Sequence, residues 1–381
     1  MARTESATTE DMTDRKLRVG IVFGGQSGEH EVSLAGAASV LAAIDRSRFE
    51  VVPIGIAKDG RWLVGGDPMR ALGEAAARLA LTESGPDAET KRDLLARTVS
   101  AEASSALARV ETSEGLPAGL SRSLDVVLVL LHGPRGEDGA IQGLLELAGL
   151  PYTGAGVLAS AIGMDKAAMK DVFRAHGLPI VEHALVKRHE WEQDRAGVAS
   201  RVAGRIGFPC FVKPANLGSS VGVSKVKAED DLGAAIDLAA RHDRRTLVER
   251  AVQGREVEVA VLGNDRPIAS VPGEVCYAGE WYDYETKYGE GHTTLKIPGP
   301  LSPETTELVR ALAIEAFVAI DGAGMARVDF FIEADGRVLV NEINTIPGFT
   351  ATSAYPRLWA ASGIPYPELI SRLIELALER R

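Results

Sequence analysis

The chain has 381 residues, which is enough for two or three domains at the usual ~100–200 residues each. Apolar residues make up 45% of the chain and charged residues 25%, a globular composition that excludes a disordered or fibrous protein. The net charge is -11 and no long block of Lys or Arg occurs, which argues against a nucleic-acid partner.

Several features predict a cytoplasmic protein with no membrane partner. Residues 1–15 lack the apolar core of a signal peptide and are expected to form a flexible, solvated tail. The longest apolar run, Val126 to Leu131, is far shorter than the ~20 residues that span a bilayer. Only Cys210 and Cys276 are present, and Cys210 lies in an apolar run, which predicts a buried thiol. So few cysteines fit a reducing compartment.

Residues 16–154 are predicted to form an N-terminal domain of Rossmann-like topology. The apolar run Leu17 to Phe23 reads as a buried strand, and a glycine loop and an apolar-periodic helix from Glu31 to Ile44 follow it. Further strands at Phe49 to Ile56 and Leu124 to Leu131, with a helix from about 140 to 148, continue the alternation of a mostly parallel sheet. The Ala-, Glu- and Arg-rich segment 61–123 reads as an insertion of helices and loops without chemistry.

The pattern changes after Gly154. Strands and helices no longer alternate, which indicates an α+β region, and we divide it into a central lobe at 155–250 and a C-terminal lobe at 251–381. The predicted fold class is therefore α/β and α+β. Helices are expected at Lys166 to His176, at 230–241 and at 303–321, and strands around positions 211, 223, 247 and 257.

The segment 325–348 predicts a metal site. An Asp335-Gly336 turn between β-branched and aromatic runs is typical of a hairpin. A two-residue loop would bring Asp329 opposite Glu342, and Arg327 opposite Asn344, all on one face. Facing carboxylates destabilise a strand pair unless a cation joins them, and oxygen ligands favour Mg²⁺ or Mn²⁺. An exposed polar face of an ordinary ribbon is the alternative from this segment alone.

Neither common nucleotide motif is present, because no G-x-x-x-x-G-K-[ST] occurs and the Gly24-Gly25 turn lacks G-x-G-x-x-G spacing. Lys213 ends a predicted strand just before a loop rich in Gly and Ser, at 216–222. The backbone of that loop, with Lys213 and Lys166, is suited to phosphate, although a plain hairpin with a solvated lysine fits the same residues. Glu249 and Glu256 lie at strand ends, where both could reach ribose hydroxyls or the adenine amine. Taken alone, each also fits an ordinary surface charge.

Motifs distributed over residues 17–375 resemble the D-alanine–D-alanine ligases of the ATP-grasp superfamily. The N-terminal motifs are Phe23-Gly24-Gly25-x-Ser27-x-Glu29-His30-Glu31-Val32-Ser33, His132-Gly133-x-x-Gly136-Glu137-Asp138-Gly139, Pro151-Tyr152-Thr153-Gly154 and Met164-Asp165-Lys166. The C-terminal ones are Val212-Lys213-Pro214, Gly218-Ser219-Ser220-Val221-Gly222, Tyr282-Asp283-Tyr284-Glu285-x-Lys287-Tyr288 and Asn341-Glu342-x-Asn344-Thr345-x-Pro347-Gly348.

This resemblance implies a two-lobed ATP-grasp module after the N-terminal domain, with ATP as co-substrate and two Mg²⁺ or Mn²⁺ sites. The implied reaction joins two D-alanine molecules through a D-alanyl phosphate for peptidoglycan precursor synthesis. It also implies a homodimer. The alternative is a D-alanine–D-lactate ligase, against which the lid residues Tyr284, Lys287 and Tyr288 argue because they fit the dipeptide-forming pattern.

The resemblance assigns the first D-alanine to the N-terminal domain. Glu29 would meet its ammonium, with His132 nearby. Ser219 and Tyr288 would link the glycine-serine loop and the lid to Glu29, so that closure excludes water.

The remaining roles fall in the two lobes. Lys287 would contact the transferring phosphoryl group, Arg327 and the backbone of Gly348 the oxyanion, and Ser353 the carboxylate of the second D-alanine. The implied ATP contacts are Lys166, Lys213, Ser220, Glu249, Val252 and Glu256. The implied metal ligands are Asp329, Glu342 and Asn344.

Two other classes fit the sequence less well. A Rossmann oxidoreductase built on 17–44 lacks the third glycine and an acidic residue ending the second strand. A catalytically silent binding protein would have lost a metal ligand or the oxyanion arginine, and the sequence retains them all.

Overall fold

The computed structural model describes residues 15–74, 111–113, 115–117, 119–218, 221–277 and 293–380. Three sheets contain all fifteen strands of these residues, and three apolar cores pack against them. No helix in the described ranges has both the length and the apolar character needed to cross a membrane.

The first sheet has five strands in the order β4-β3-β2-β1-β5. Its central strand β1 pairs in parallel with both β2 and β5, as the βα alternation predicts. The strands are β1 Leu17–Gly24, β2 Phe49–Ile56, β3 Trp62–Val64, β4 Glu111–Ser113 and β5 Val126–Val129. The helices of this region are α1 His30–Ala43, α2 Leu120–Ser123 and α3 Ala140–Leu147, and residues 68–74 are also helical.

The expectation of only helices and loops in 61–123 is wrong at both ends of that segment. Strands β3 and β4 extend the sheet beyond β2 as antiparallel additions. The Trp62 side chain is buried in the core of this sheet. Three residues are too few to reveal a period-two pattern, so such short strands give almost no signal in the sequence.

The other two sheets are antiparallel throughout, in contrast to the first. One has the order β6-β9-β7-β8, and the other has the order β13-β12-β10-β14-β15, with β11 paired to β10. Their strands are β6 His183–Lys187, β7 Cys210–Pro214, β8 Ser224–Val226, β9 Arg245–Arg250, β10 Gly254–Gly263, β11 Ile268–Ala269, β12 Gly273–Tyr277, β13 Thr293–Lys296, β14 Gly324–Glu333 and β15 Val338–Asn344.

Helices cover these sheets. They are α4 Val157–Met164, α5 Lys166–Ala175, α6 Arg188–Gln193, α7 Arg195–Arg205, α8 Leu232–His242, α9 Pro303–Ala319, α10 Ala354–Ala361 and α11 Tyr366–Glu379. The last two pack on the N-terminal sheet, because Tyr355, Leu369 and Leu373 share one apolar core with β1 and β5. Helices α10 and α11 of the C-terminal lobe therefore pack against the N-terminal sheet and hold the two together.

The hairpin of β14 and β15 has the predicted pairing near its open end but not at its turn. Ile332 pairs with Val338 and the Glu333 N–H donates to the Arg337 carbonyl at 2.9 Å, so the loop has three residues and not two. Gly336 takes a positive φ of 88° in that loop. A bulge between Asp329 and Phe330 then restores the predicted pairing of Asp329 with Glu342.

Candidate active site

A cavity of about 550 Å³ lies where the three sheets meet. Every described residue for which the sequence predicts a role lines it. These residues are Glu29, His132, Lys166, Lys213, Glu249, Val252, Glu256, Arg327, Asp329, Glu342, Asn344, Gly348 and Ser353. The other predicted site residues, Ser219, Ser220, Lys287 and Tyr288, lie outside the described residues.

Three carboxylates lie side by side on neighbouring strands of the large sheet. Asp329 of β14 is directly opposite Glu258 of β10 on one side and Glu342 of β15 on the other. Like charges in such positions repel each other, so the row requires cations. This face of the hairpin lines the cavity and is not an open surface of the protein.

Arg327 supplies part of that positive charge. Its guanidinium donates to both carboxylate oxygens of Asp329, at 2.7 and 2.6 Å. It also lies 3.2 Å from the Glu258 carboxylate. On the other side of the row, the Lys166 ammonium is 3.5 Å from Glu342. Arg327 is buried, so these charge-assisted bonds fix the direction of its guanidinium.

The donor set of the hairpin fits a magnesium-like cation. Asp329, Glu342 and Asn344 offer hard oxygens from one face, as Mg²⁺ requires. Among the described residues no three His, Cys, Asp or Glu side chains are grouped closely enough to hold a metal by themselves. Mg²⁺ typically takes only one or two carboxylates and completes its shell with water and phosphate, so this set suits a metal bound together with a nucleotide.

In one part of the cavity wall, one carboxylate lies between two ammonium groups. Glu249 of β9 forms ion pairs with Lys213 of β7 and with Lys170 of α5, the latter at 2.6 Å. Burial would raise the pKa of Glu249, but the two lysines outweigh it and lower that pKa to about 2. Glu249 is 3% exposed, so the reading of it as a surface charge is wrong.

At the opposite end of the cavity, the first sheet presents Glu29. This residue precedes α1, in the loop that follows β1. A Cβ placed on Gly133 or Gly218 would lie 3.1 or 3.2 Å from a Glu29 carboxylate oxygen, so both glycines leave room for its side chain. Gly218 belongs to the glycine-serine loop, and its closeness to Glu29 agrees with the predicted link between that loop and the substrate end.

The Ser33 hydroxyl holds the strand ends that carry this substrate region. It accepts from the Gly24 N–H at 2.8 Å and donates to the Leu130 carbonyl at 2.6 Å. Gly24 ends β1 and Leu130 follows β5, so one buried side chain joins the two strands at their carboxyl ends. Ligands bind at this edge in open α/β sheets.

His132 is buried next to Glu29 and Glu137. Its Nδ1 is 3.0 Å from the Ile346 carbonyl, so that nitrogen carries a proton, and its Nε2 has no hydrogen-bond partner among the described residues. Burial acts to lower the pKa of His132, but Glu137 and then Glu29 raise it above the ordinary value. Glu137 and Glu29 thus both favour the protonated form of the ring.

The segment after β15 completes the cavity. Gly348 and Ser353 both line it, and a Cβ on Gly348 would lie 3.3 Å from the Ser353 hydroxyl oxygen. The Ser353 hydroxyl also pairs with the Thr350 hydroxyl at 2.7 Å. A side chain at position 348 would thus enter the space in which the predicted oxyanion contact lies.

Comparisons with known proteins agree with this architecture. Residues 18–155 match the family described as D-ala D-ala ligase N-terminus, and residues 172–375 match D-ala D-ala ligase C-terminus. A D-alanine–D-alanine ligase of Geobacillus thermodenitrificans is 47% identical and one of Deinococcus radiodurans is 48% identical. The alignments cover 96% of this chain in both cases, and 96% and 100% of those relatives.

Solved structures give the same result. The structure of the D-alanine–D-alanine ligase from Coxiella burnetii has a TM-score of 0.77 and 38% identity, covering 96% of this chain and 94% of that one. The VanG D-Ala:D-Ser ligase from Enterococcus faecalis has a TM-score of 0.76 and 29% identity, covering 95% and 100%. Two antiparallel sheets that enclose the cavity beside a mixed sheet with a parallel centre are thus the ATP-grasp architecture, and the class is that of ATP-grasp enzymes. Within it, this chain belongs to the D-alanine–D-alanine ligase family.

Sequence reasoning missed three residues of this site, although two of them had a signal. Glu258 lies two positions after Glu256 in a strand, and residues two apart in a strand point to the same face of the sheet. Lys170 follows Lys166 by one helical turn and precedes Phe173, which puts a lysine on the apolar face of α5. The bonds of Ser33 join segments far apart in the chain, and nothing in its local pattern indicates them.

Proposed function

We propose that this chain joins two D-alanine molecules into D-alanyl-D-alanine, with ATP converted to ADP and phosphate. One observation carries the proposal: a single cavity is lined by the carboxylate of Glu29, the ammonium of Lys213 and the carboxylate row around Asp329, which suit an amine, a phosphate and a metal respectively. The chain's membership of the family makes D-alanine the substrate. The product would serve peptidoglycan precursor synthesis.

A free carboxylate resists attack by an amine, so the reaction needs an activated carboxylate. An oxygen of the first D-alanine attacks the γ-phosphorus of ATP, forming a D-alanyl phosphate while the bond to the ADP oxygen breaks. The amine of the second D-alanine, having lost a proton, then attacks the acyl carbon. The tetrahedral intermediate collapses with loss of phosphate, and the amide bond remains.

The nucleotide would occupy the end of the cavity formed by β7, β9 and β10. Lys166 and Lys213 would neutralise its phosphates together with Ser220 of the glycine-serine loop. The backbone at Val252 faces the adenine in this arrangement, and Glu256 faces the ribose. Glu249 would act chiefly by holding Lys213, to which it is ion-paired.

Asp329, Glu342 and Asn344 would hold two Mg²⁺ or Mn²⁺ ions. When bound, such ions neutralise the charge that develops on the transferring phosphoryl group. Arg327, held between Glu258 and Asp329, would donate to the oxyanion of the tetrahedral intermediate together with the backbone of Gly348. Lys287 would contact the same phosphoryl group from the lid.

Glu29 would bind the ammonium of the first D-alanine, and His132 would lie beside that substrate. Ser219 and Tyr288 would join Glu29 when the lid closes and exclude water from the acyl phosphate. Ser353 would bind the carboxylate of the second D-alanine. Water inside the closed site would hydrolyse the acyl phosphate and waste the ATP.

We further propose that the enzyme is cytoplasmic and forms a homodimer. Both cysteines are free thiols, as a reducing compartment would leave them, and ATP is supplied there. The dimer rests on the family resemblance alone. Sedimentation of the purified chain tests it, with a monomer mass as the contrary result.

Phosphate release by the purified chain tests the proposed activity. With ATP and Mg²⁺, we expect phosphate when D-alanine is added and none with L-alanine. Mixtures of D-alanine with D-lactate or D-serine should still give D-alanyl-D-alanine as the main product. No D-alanine-dependent phosphate, or a depsipeptide as the main product, would contradict the proposal.

A further inference from the structure

Lys170 is a fully buried lysine to which the reaction scheme gives no role. It is 0% exposed, and a charge at such a site must be compensated by close partners. Its ammonium is ion-paired with Glu249 at 2.6 Å and donates to the main-chain carbonyl of Asn341 at 2.9 Å. Those two partners belong to different sheets, because Glu249 lies in β9 and Asn341 in β15.

Asn341 is the extra residue of the bulge that restores the pairing of Asp329 with Glu342. A bulge takes one residue out of the regular ladder and re-aims the side chains beside it. On one side of this bulge, the Val340 N–H donates to the Pro179 carbonyl at 2.7 Å. Lys170 binds the carbonyl of Asn341 itself, so contacts from outside the hairpin hold both the bulged residue and the residue before it.

Helix α5 lies alongside β15 at this point. Besides Lys170, its Met169 sulfur accepts from the Ile343 N–H at 3.4 Å, and its Lys166 ammonium is 3.5 Å from Glu342. The same helix therefore contacts three consecutive residues of β15. Through Lys170 it also reaches Glu249, which holds Lys213.

We propose that Lys170 is a positioning residue for the nucleotide and the metal: its ammonium fixes the Asn341 bulge against Glu249, and so sets Glu342 relative to Lys213. The inference rests on the proposed function only in that nucleotide and metal bind in this cavity. Lys170 acts through Glu249 and the bulge, and it touches neither ligand. Residues that orient metal ligands in this way typically change metal affinity or activity 10- to 100-fold when replaced.

Lys170→Met removes the ammonium and keeps a straight side chain of similar length. Glu249 retains Lys213 as its partner, so one ammonium still faces one carboxylate and no buried charge is left unpaired. Lys187→Met is the matched control, since Lys187 is exposed at the end of β6 and does not line the cavity.

The test is the affinity for ADP, measured by titration calorimetry with Mg²⁺ present and with the metal chelated, in the absence of D-alanine. For the wild type and Lys187→Met we expect Mg²⁺ to strengthen ADP binding. In Lys170→Met that gain should shrink roughly tenfold or more, and the Mg²⁺ concentration for half-maximal turnover should rise by a similar factor. ADP binding without metal should change much less.

The inference would be overturned if folded Lys170→Met showed the same Mg²⁺-dependent strengthening of ADP binding as the wild type. It would also be overturned if ADP binding weakened equally with and without metal, because that result indicates a general structural role. If Lys170→Met shows no cooperative thermal unfolding, Lys170→Gln is measured by the same criteria. A wild type in which Mg²⁺ gives no gain refutes the metal site and this inference together. Failure of D-alanine ligation alone refutes only the proposed substrate.

Discussion

Arg327 donates two hydrogen bonds to Asp329, two residues further along the same strand. Asp329 is thereby held by a cation inside the protein, and it is also one of the proposed metal ligands. A metal coordinated by Asp329 would weaken its bonds to the guanidinium, which would keep a second carboxylate partner in Glu258. We therefore expect Glu258 to support catalysis by keeping Arg327 aimed at the proposed oxyanion, a role that no motif indicates.

Glu258→Gln tests this role because it removes the charge and keeps the shape. Removal of a hydrogen-bond donor to an oxyanion typically lowers kcat by about 100-fold or more. In Glu258→Gln the donor Arg327 is still present but less well aimed, so we expect kcat to fall by a smaller factor, roughly tenfold or more. The KM for ATP should change little. Steady-state kinetics at saturating Mg²⁺ measure both constants, and an unchanged kcat would refute the assignment.

Replacing Glu342 by Gln should remove a metal ligand. We expect turnover to fall by more than about 100-fold, with circular dichroism and thermal unfolding near those of the wild type. Glu307→Gln is the control, because Glu307 is exposed on α9 and should leave turnover unchanged. Turnover of Glu342→Gln near the wild-type level would show that the hairpin does not hold the metal.

The buried carboxylate of Glu249 predicts a particular dependence of stability on pH. Its pKa is about 2 in the folded protein, below the ordinary value of 4.5, because two lysines favour the ionised form. Its stabilising contribution is thus complete above about pH 4.5 and is lost as the pH falls toward about 2. Glu249→Gln leaves two buried ammonium groups without a carboxylate and should cost roughly 3–5 kcal/mol at neutral pH.

Urea unfolding of both proteins at several pH values measures this effect. The difference in unfolding free energy between wild type and Glu249→Gln should be constant from about pH 7 to about pH 5 and should shrink at lower pH. A difference that stays constant down to the lowest pH at which both proteins fold would contradict the ion pairs.

Gly24 and Gly28 form a matched pair in the loop that positions Glu29. Gly24 has a φ of +92°, and a Cβ there would lie 2.3 Å from the Ile56 carbonyl oxygen, whereas a Cβ on Gly28 meets nothing within 4 Å. Gly24→Ala should therefore destabilise the protein by at least about 1–3 kcal/mol, and Gly28→Ala by less than about 1 kcal/mol. Equal unfolding free energies for the two variants would disprove the geometry of this loop.

The sequence predicts this fold best where apolar patterns are long. The strands Leu17–Gly24 and Phe49–Ile56 follow from runs of eight mostly apolar residues, whereas Trp62–Val64 and Glu111–Ser113 are too short to recognise. Motif resemblance supplied the cavity residues without any three-dimensional information. It did not supply the roles of their supports, because Lys170 and Glu258 lie outside the motifs and Ser33, although inside one, acts through contacts between distant segments.

The facing pair Asp329 and Glu342 shows a further limit. The pairing was predicted from a two-residue turn, but the turn has three residues and the bulge at Asn341 corrects the count. The two differences cancel, so the prediction is right at the site and wrong at the turn. The bulge at Asn341 has no local signal in the sequence, because the ammonium that binds its carbonyl belongs to Lys170 in a distant segment.

One isotope measurement tests the central claim most directly. D-alanine labelled with ¹⁸O in both carboxylate oxygens is incubated with the chain, unlabelled ATP and Mg²⁺, and the products are analysed by mass spectrometry. Attack of the carboxylate on ATP transfers one labelled oxygen to phosphate for every D-alanyl-D-alanine formed, so labelled phosphate and dipeptide should appear in equal amounts. Unlabelled phosphate, or phosphate without dipeptide, would contradict ligation through an acyl phosphate.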